Sequence, residues 1–206
     1  LLDVIKLYTF DEGMQRDALQ LLASLAYGPA SKEILLQKGG LDCILTSMKD
    51  HWQSTSIQAT GCRAVANIFA MGVVSSASNI NNNHNNNNNN KTYFTLIRQT
   101  KGAQCVKPLL RAMRMHVDAA SVQSFACAAL QTLTPIHAAA VSDAGGIATI
   151  MVSIQRHGTV AVVQERGWGT LCNIVSQRTP SVMMEDLLSL CNEDAIPTLL
   201  KTLGNF

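Results

Sequence analysis

Apolar residues along this chain fall at helical spacing, and the spacing pattern itself recurs. Four segments share one phrase: MQRDALQLLASLA from Met14, IQATGCRAVANIF from Ile57, VQSFACAALQTLT from Val122 and VQERGWGTLCNIV from Val163. Each opens on an apolar residue followed by Gln. A small residue stands three places after the Gln, and apolar residues fill the ninth and twelfth positions. Gln15 and Gln58 are 43 residues apart, and Gln123 and Gln164 are 41 apart. The middle interval, 65 residues from Gln58 to Gln123, is one such period plus an insert, SSASNINNNHNNNNNNK, from Ser75 to Lys91. Removing about twenty residues restores a period of roughly 40–47, which marks a stack of helical repeats.

One unit, begun at Ile136, predicts three helices. A short helix covers about residues 137–142, and the pair Gly145-Gly146 ends it, because Gly accepts backbone angles that permit a sharp turn. A second helix covers about 147–155, with Ile147, Ile150, Met151 and Ile154 on one face. Gly158 breaks it. A third helix covers about 160–175, with Val163, Gly167, Thr170, Leu171 and Ile174 at i, i+3/i+4, i+7 spacing. Leu41, Ile44 and Met48 match the second helix, as do Val106, Leu109 and Met113, and Ile196, Leu199 and Leu203 begin a fifth copy. The small residues Ala18, Gly61, Ala126 and Gly167 belong where the third helix crosses its neighbours, since a small side chain lets helix axes approach. The segment 177–194 is about eight residues longer than the period predicts, so its first helix is expected to be extended, around 182–191. The Asn-rich insert, at about 74–92, has little apolar content and is expected to hang as a flexible loop from the edge of the stack.

Composition fits this picture. Apolar residues make up 47% of the 206, charged residues 15% and aromatics 5%, which suits close packing of Ala, Leu, Ile and Val. A formal net charge of +2, with no basic stripe, argues against a nucleic-acid surface. No apolar run reaches the length of a bilayer span, so membrane insertion is not expected. Both ends, LLDVIKL and IPTLLKTLGNF, read as the inside of helices, and the chain is expected to be a fragment of a longer array. The six cysteines, Cys43, Cys62, Cys105, Cys127, Cys172 and Cys191, form no CxxC pair and read as reduced core thiols of an intracellular, cytoplasmic protein. His51, His116 and His157 share one repeat position, near the end of each second helix. Successive units stand roughly 10 Å apart, too far for these rings to share a metal, so the helix dipole is their better explanation. No Ser/His/acid or Cys/His set falls on one surface, Lys38-Gly39-Gly40 lacks the rest of a phosphate loop, and no catalytic site, cofactor, metal or small-molecule substrate is expected.

The Gly-Gly turns, the (Val/Ile)-Gln starts and the endings Val65-Ala66-Asn67-Ile68 and Leu171-Cys172-Asn173-Ile174 resemble the armadillo repeat family. The resemblance covers nearly the whole chain outside the insert, and departs in the third unit, where Gln104-Cys105 replace the Gly pair. It implies an all-α, right-handed α-solenoid of about four three-helix repeats, truncated at both ends, as a single domain over 1–206. It also implies a scaffold that holds an extended peptide or partner protein in a concave groove lined by the third helices. In that family an Asn near the end of each third helix bonds the ligand backbone. Asn67 and Asn173 match it, with Ser24 and Thr132 in the other units. The alternative is that these Asn residues cap helices or bond neighbouring loops. On the same face lie Thr60, Arg63, Phe125, Arg166 and Gly169. The two arginines could meet acidic ligand side chains, or be solvated or paired with Glu165, and Phe125 could be a pocket or core. Family members that import nuclear cargo carry Trp four residues before the Asn. Arg63 and Gly169 stand there instead, so a basic signal is not the expected ligand. Two other roles stay open: a structural component of a flagellar or cytoskeletal assembly, and a regulatory array of a protein with an enzyme domain such as a kinase.

Overall fold

The computed structural model describes residues 1–70, 84–177 and 194–204, together with Asp186, Leu188 and Leu190; for Pro29, residues 84–99 and Leu203 it describes the backbone alone. The described residues form helices joined by short turns. These are α1 (Leu2–Leu7), α2 (Glu12–Leu25), α3 (Pro29–Gln37), α4 (Gly40–Asp50), α5 (Thr55–Phe69), α6 (His84–Met115), α7 (Ala120–Asp143), α8 (Gly146–Arg156), α9 (Ala161–Ser176) and α10 (Ala195–Leu203). The fold is all-α, with helix packing in a repeat-like arrangement.

The recurring Gln has a structural cause. A helix leaves its last carbonyls without intrahelical partners, and a Gln amide carries two N–H donors. Gln15 Nε2 donates to the carbonyls of Ile5 (2.6 Å) and Tyr8 (2.9 Å) at the end of α1. Gln58 does the same to Met48 (2.7 Å) and His51 (3.1 Å) at the end of α4. Gln123 reaches Met113 and His116, both at 2.9 Å, after α6, and Gln164 reaches Ile154 (2.7 Å) and His157 (2.9 Å) after α8. All four side chains are buried. Each stands four residues after the N-cap of α2, α5, α7 or α9, so one residue type closes the same corner four times. Asp11 and Ser54 also cap α2 and α5 by accepting from the amides of Met14 and Ile57.

The Gly pairs behave as the sequence predicts. Gly39 and Gly145 take left-handed backbone angles, φ 77° and 75°, which an L side chain disfavours. Gly40 follows, and a Cβ there would sit 2.6 Å from Leu35 Cγ. In the third unit, with Gln104-Cys105 in place of the pair, the chain does not turn. α6 runs on through Pro108 to Met115. Its start at His84 also corrects the expected loop: from His84 onward the Asn-rich segment is helical, while the remainder of the expected loop up to residue 83 lies outside the described residues. The unit boundary expected at Ile136 is present as a kink: α7 is two helical stretches joined at His137, whose backbone is non-helical (φ −117°, ψ 26°), with Pro135 just before it.

α2, α5, α7 and α9 pack side by side in that order. Two close approaches explain the small residue after each Gln. A Cβ on Gly61 would lie 2.5 Å from Met48 Cγ, and one on Gly167 would lie 2.7 Å from Ile154 Cγ1. Ala18 and Ala126 fill the equivalent places and are buried. The apolar faces of α4, α6 and α8 are buried as expected, whereas Ile196 in α10 is 63% exposed, because no third helix covers α10 among the described residues. The helix expected around 182–191 falls largely outside the described residues.

α7 is long and apolar enough to cross a membrane, contrary to the expectation that no run is. It is kinked at His137 and packs between α5 and α9, with more than half of that stretch buried. A soluble core helix passes the same test of length and composition.

Candidate surface on the third helices

The residues expected to line a groove come from α5, α7 and α9, and all are half-buried: Thr60, Arg63, Asn67, Phe125, Thr132, Arg166 and Asn173. The structure brings three of them together. The Arg63 guanidinium carbon lies 5.8 Å from the centroid of the Phe125 ring and that of Arg166 lies 5.9 Å from the same centroid. Each contact is of the cation–π kind, in which the negative face of the ring attracts the guanidinium. Three neighbouring helices thus each supply one member of an Arg-Phe-Arg stack. Arg166 Nη1 also donates to the Ser124 carbonyl at 3.0 Å. Arg63 Nε is buried without a hydrogen-bond partner. Neither arginine pairs with Glu165 or any other carboxylate among the described residues, where the ion pairs are Arg16–Asp17, Lys101–Asp42 and Arg156–Asp118.

The two Asn residues are oriented across the row. Asn67 Nδ2 donates to the Ala23 carbonyl of α2 at 2.8 Å, and Asn173 Nδ2 donates to the Gln131 carbonyl of α7 at 3.3 Å. The donor half of each carboxamide is therefore engaged by the preceding third helix. Thr170 Oγ1 makes a comparable link to the Cys127 carbonyl (3.1 Å). Ser24 and Thr132 bond to carbonyls within their own helices, Gln20 and Ala129. Trp168 donates from Nε1 to Gln164 Oε1 at 3.2 Å, and Thr202 Oγ1 of α10 shares that acceptor at 3.0 Å, so the indole serves the corner below α9 and not the stack.

The histidines form a second ladder. His51 Nε2 meets the Thr9 carbonyl (2.7 Å), His116 Nε2 the Trp52 carbonyl (2.9 Å) and His157 Nε2 the Val117 carbonyl (2.8 Å). A carbonyl only accepts, so each Nε2 carries the proton. Each ring links its own corner to the residue just past the preceding corner, a role the sequence reading did not assign. Among the described residues no three His, Cys, Asp or Glu side chains gather as a metal ion requires.

The thiols divide by burial. Cys43, Cys62, Cys105 and Cys127 are buried and Cys172 is exposed. Desolvation pushes the Cys62 thiol far up, and raises Cys105 and Cys127 from about 9 to about 12.

Sequence reasoning missed one further feature, an open cleft of about 630 Å³ between α4 and α6, bordered by the start of the α8 turn. Its basic residues, Lys49, Lys107, Arg111 and Arg114, are scattered in sequence and show no motif. In comparisons with known proteins, no family model, no curated protein and no solved structure matches this chain.

Proposed function

We propose that this chain is an armadillo-type solenoid that binds an extended segment of a partner protein on the concave surface of its third helices. Four corners closed by the same Gln, 43, 65 and 41 residues apart with the Asn-rich insert inside the middle interval, and α2, α5, α7 and α9 packed in series support the repeat reading. The observation that carries the binding reading is the Arg63-Phe125-Arg166 stack. Two guanidiniums from different repeats are held against one ring, with no acidic partner among the described residues. Such an arrangement offers fixed N–H donors to an anionic side chain and an aromatic edge to an apolar one. Asn67 and Asn173 keep a carboxamide oxygen that can accept from a ligand amide, while their N–H groups brace the array.

The test is selection of peptides from a random displayed library on the wild-type chain. Selected peptides are expected to carry acidic residues and to bind at least tenfold more weakly to the Arg63→Ala, Arg166→Ala variant, since hydrogen bonds to charged groups are worth about 1.5–3 kcal/mol. Peptides that bind both proteins equally would remove this site from consideration.

A further inference from the structure

The cleft between α4 and α6 lies on the second helices, away from the Arg-Phe-Arg stack. Its floor is apolar: Leu45 and Met48 from α4, Pro108 and Leu110 from α6. Its rim is cationic. Lys49 and Lys107 are exposed and make no ion pair or hydrogen bond among the described residues. The Arg111 guanidinium carbon lies 5.9 Å from the ring centroid of Trp52, a contact that holds the charge at the rim. Arg114 is fixed by donation to the Ala144 carbonyl (2.7 Å) and to Thr149 Oγ1 (3.0 Å). One carboxylate, Asp42, lines the cleft, and it is already engaged by Lys101 Nζ (3.2 Å) and Gln104 Nε2 (3.5 Å).

We propose that this cleft is a second binding site, for a peptide segment in which an apolar side chain is flanked by carboxylates. The apolar side chain occupies the floor, where it covers the half-buried Leu45 and Pro108. The carboxylates meet the rim. Charge complementarity selects this occupant: four cations face a cleft whose one carboxylate among the described residues is paired, so an acidic segment is attracted and a basic one repelled. The interaction is partly exposed, so it weakens with salt. The apolar floor and the four cations of the site all come from α4 and α6, and none of them belongs to the Arg63-Phe125-Arg166 stack.

The experiment uses 1-anilinonaphthalene-8-sulfonate, an aromatic anion of this amphipathic kind, and follows energy transfer from Trp52 in a Trp168→Phe background. Saturable binding at one site, with quenching of Trp52, is expected. The Lys49→Glu, Lys107→Glu, Arg111→Glu variant, which changes exposed side chains and is checked for its helical spectrum, is expected to lose at least tenfold in affinity. An acetylated Glu-Asp-Leu-Glu-Asp peptide is expected to displace the dye, and Lys-Lys-Leu-Lys-Lys is not. Dye binding that survives charge reversal, equal displacement by both peptides, or no saturable binding would each overturn the proposal. Displacement by the acidic peptide that is lost in the Arg63→Ala, Arg166→Ala variant and kept in the cleft variant would overturn it too, and would assign the acidic ligand to the third helices.

Discussion

Replacing Gln123 by Met isolates the energetic role of the corner Gln. Gln123 is 1% exposed, and its amide donates to two carbonyls at 2.9 Å each. Met has similar length and bulk, so the substitution leaves little cavity, yet it removes both donors. Each lost bond is worth about 1 kcal/mol net, and a carbonyl left buried without a partner costs about 1–3 kcal/mol. The Met113 carbonyl is left buried without this donor, while the His116 carbonyl keeps the Ala119 amide at 3.0 Å, which gives a loss of about 2–4 kcal/mol against a typical total of about 5–15 kcal/mol. The assay is urea unfolding followed by helical ellipticity. With a slope of about 2 kcal/mol/M, a 3 kcal/mol loss lowers the midpoint by about 1.5 M. Gln37→Met, at an exposed Gln, serves as the control and is expected to stay within about 0.5 kcal/mol of wild type. A midpoint for Gln123→Met indistinguishable from that control would refute the claim that these corners are held by the amide.

Gly167→Ala is expected to destabilise by about 1–2 kcal/mol, although Ala favours helix over Gly by about 1 kcal/mol, because the new Cβ would press on the β-branched Ile154; thermal unfolding reads the sign. Gly39→Ala, at φ 77°, is expected to cost about 1–2 kcal/mol through left-handed strain, also read by unfolding. A thiol reagent is expected to modify Cys172 in the native protein and to spare Cys43, Cys62, Cys105 and Cys127, as mass spectrometry of the labelled chain would show. Cys105 and Cys127 titrate near 12 when folded and near 9 when unfolded. The unfolded chain therefore binds fewer protons above pH 9. Their contribution is complete below that pH and is lost toward pH 12, at up to about 1.4 kcal/mol per thiol for each pH unit. Unfolding midpoints across pH 8–11 are expected to fall more steeply for wild type than for Cys105→Ala, Cys127→Ala.

Much of the helical plan was legible because each device has a local signature. Gly39 and Gly145 announce left-handed turns through the one residue that takes them freely. Gly61 and Gly167 announce close approach through missing side chains. The Gln was visible as a pattern but not as a clamp, because its targets lie seven and ten residues back and depend on how α4 meets α5. The expected groove residues do share neighbouring helices. What the sequence could not give is orientation. Asn67 and Asn173 carry the right chemistry for a backbone ladder, yet their N–H groups turn to the Ala23 and Gln131 carbonyls, a choice made by the neighbouring helix. The Arg-Phe-Arg stack depends on the relative rotation of α5, α7 and α9, which no spacing within one helix encodes. The helical backbone from His84 was illegible for a different reason: an Asn run carries no apolar period. The basic rim was hidden because its four cations come from two helices separated by the insert.

The most direct test of the proposed function places a photo-crosslinking residue at Thr60, on the third-helix row, and in a second protein at Lys38, on the exposed turn after α3. Each is irradiated in lysate of the source cell, with and without Arg63→Ala and Arg166→Ala. A discrete crosslinked partner is expected from Thr60, lost when the arginines are replaced, and none of that species from Lys38. The same partner captured equally from Lys38, or from Thr60 regardless of the arginines, would contradict the proposed function.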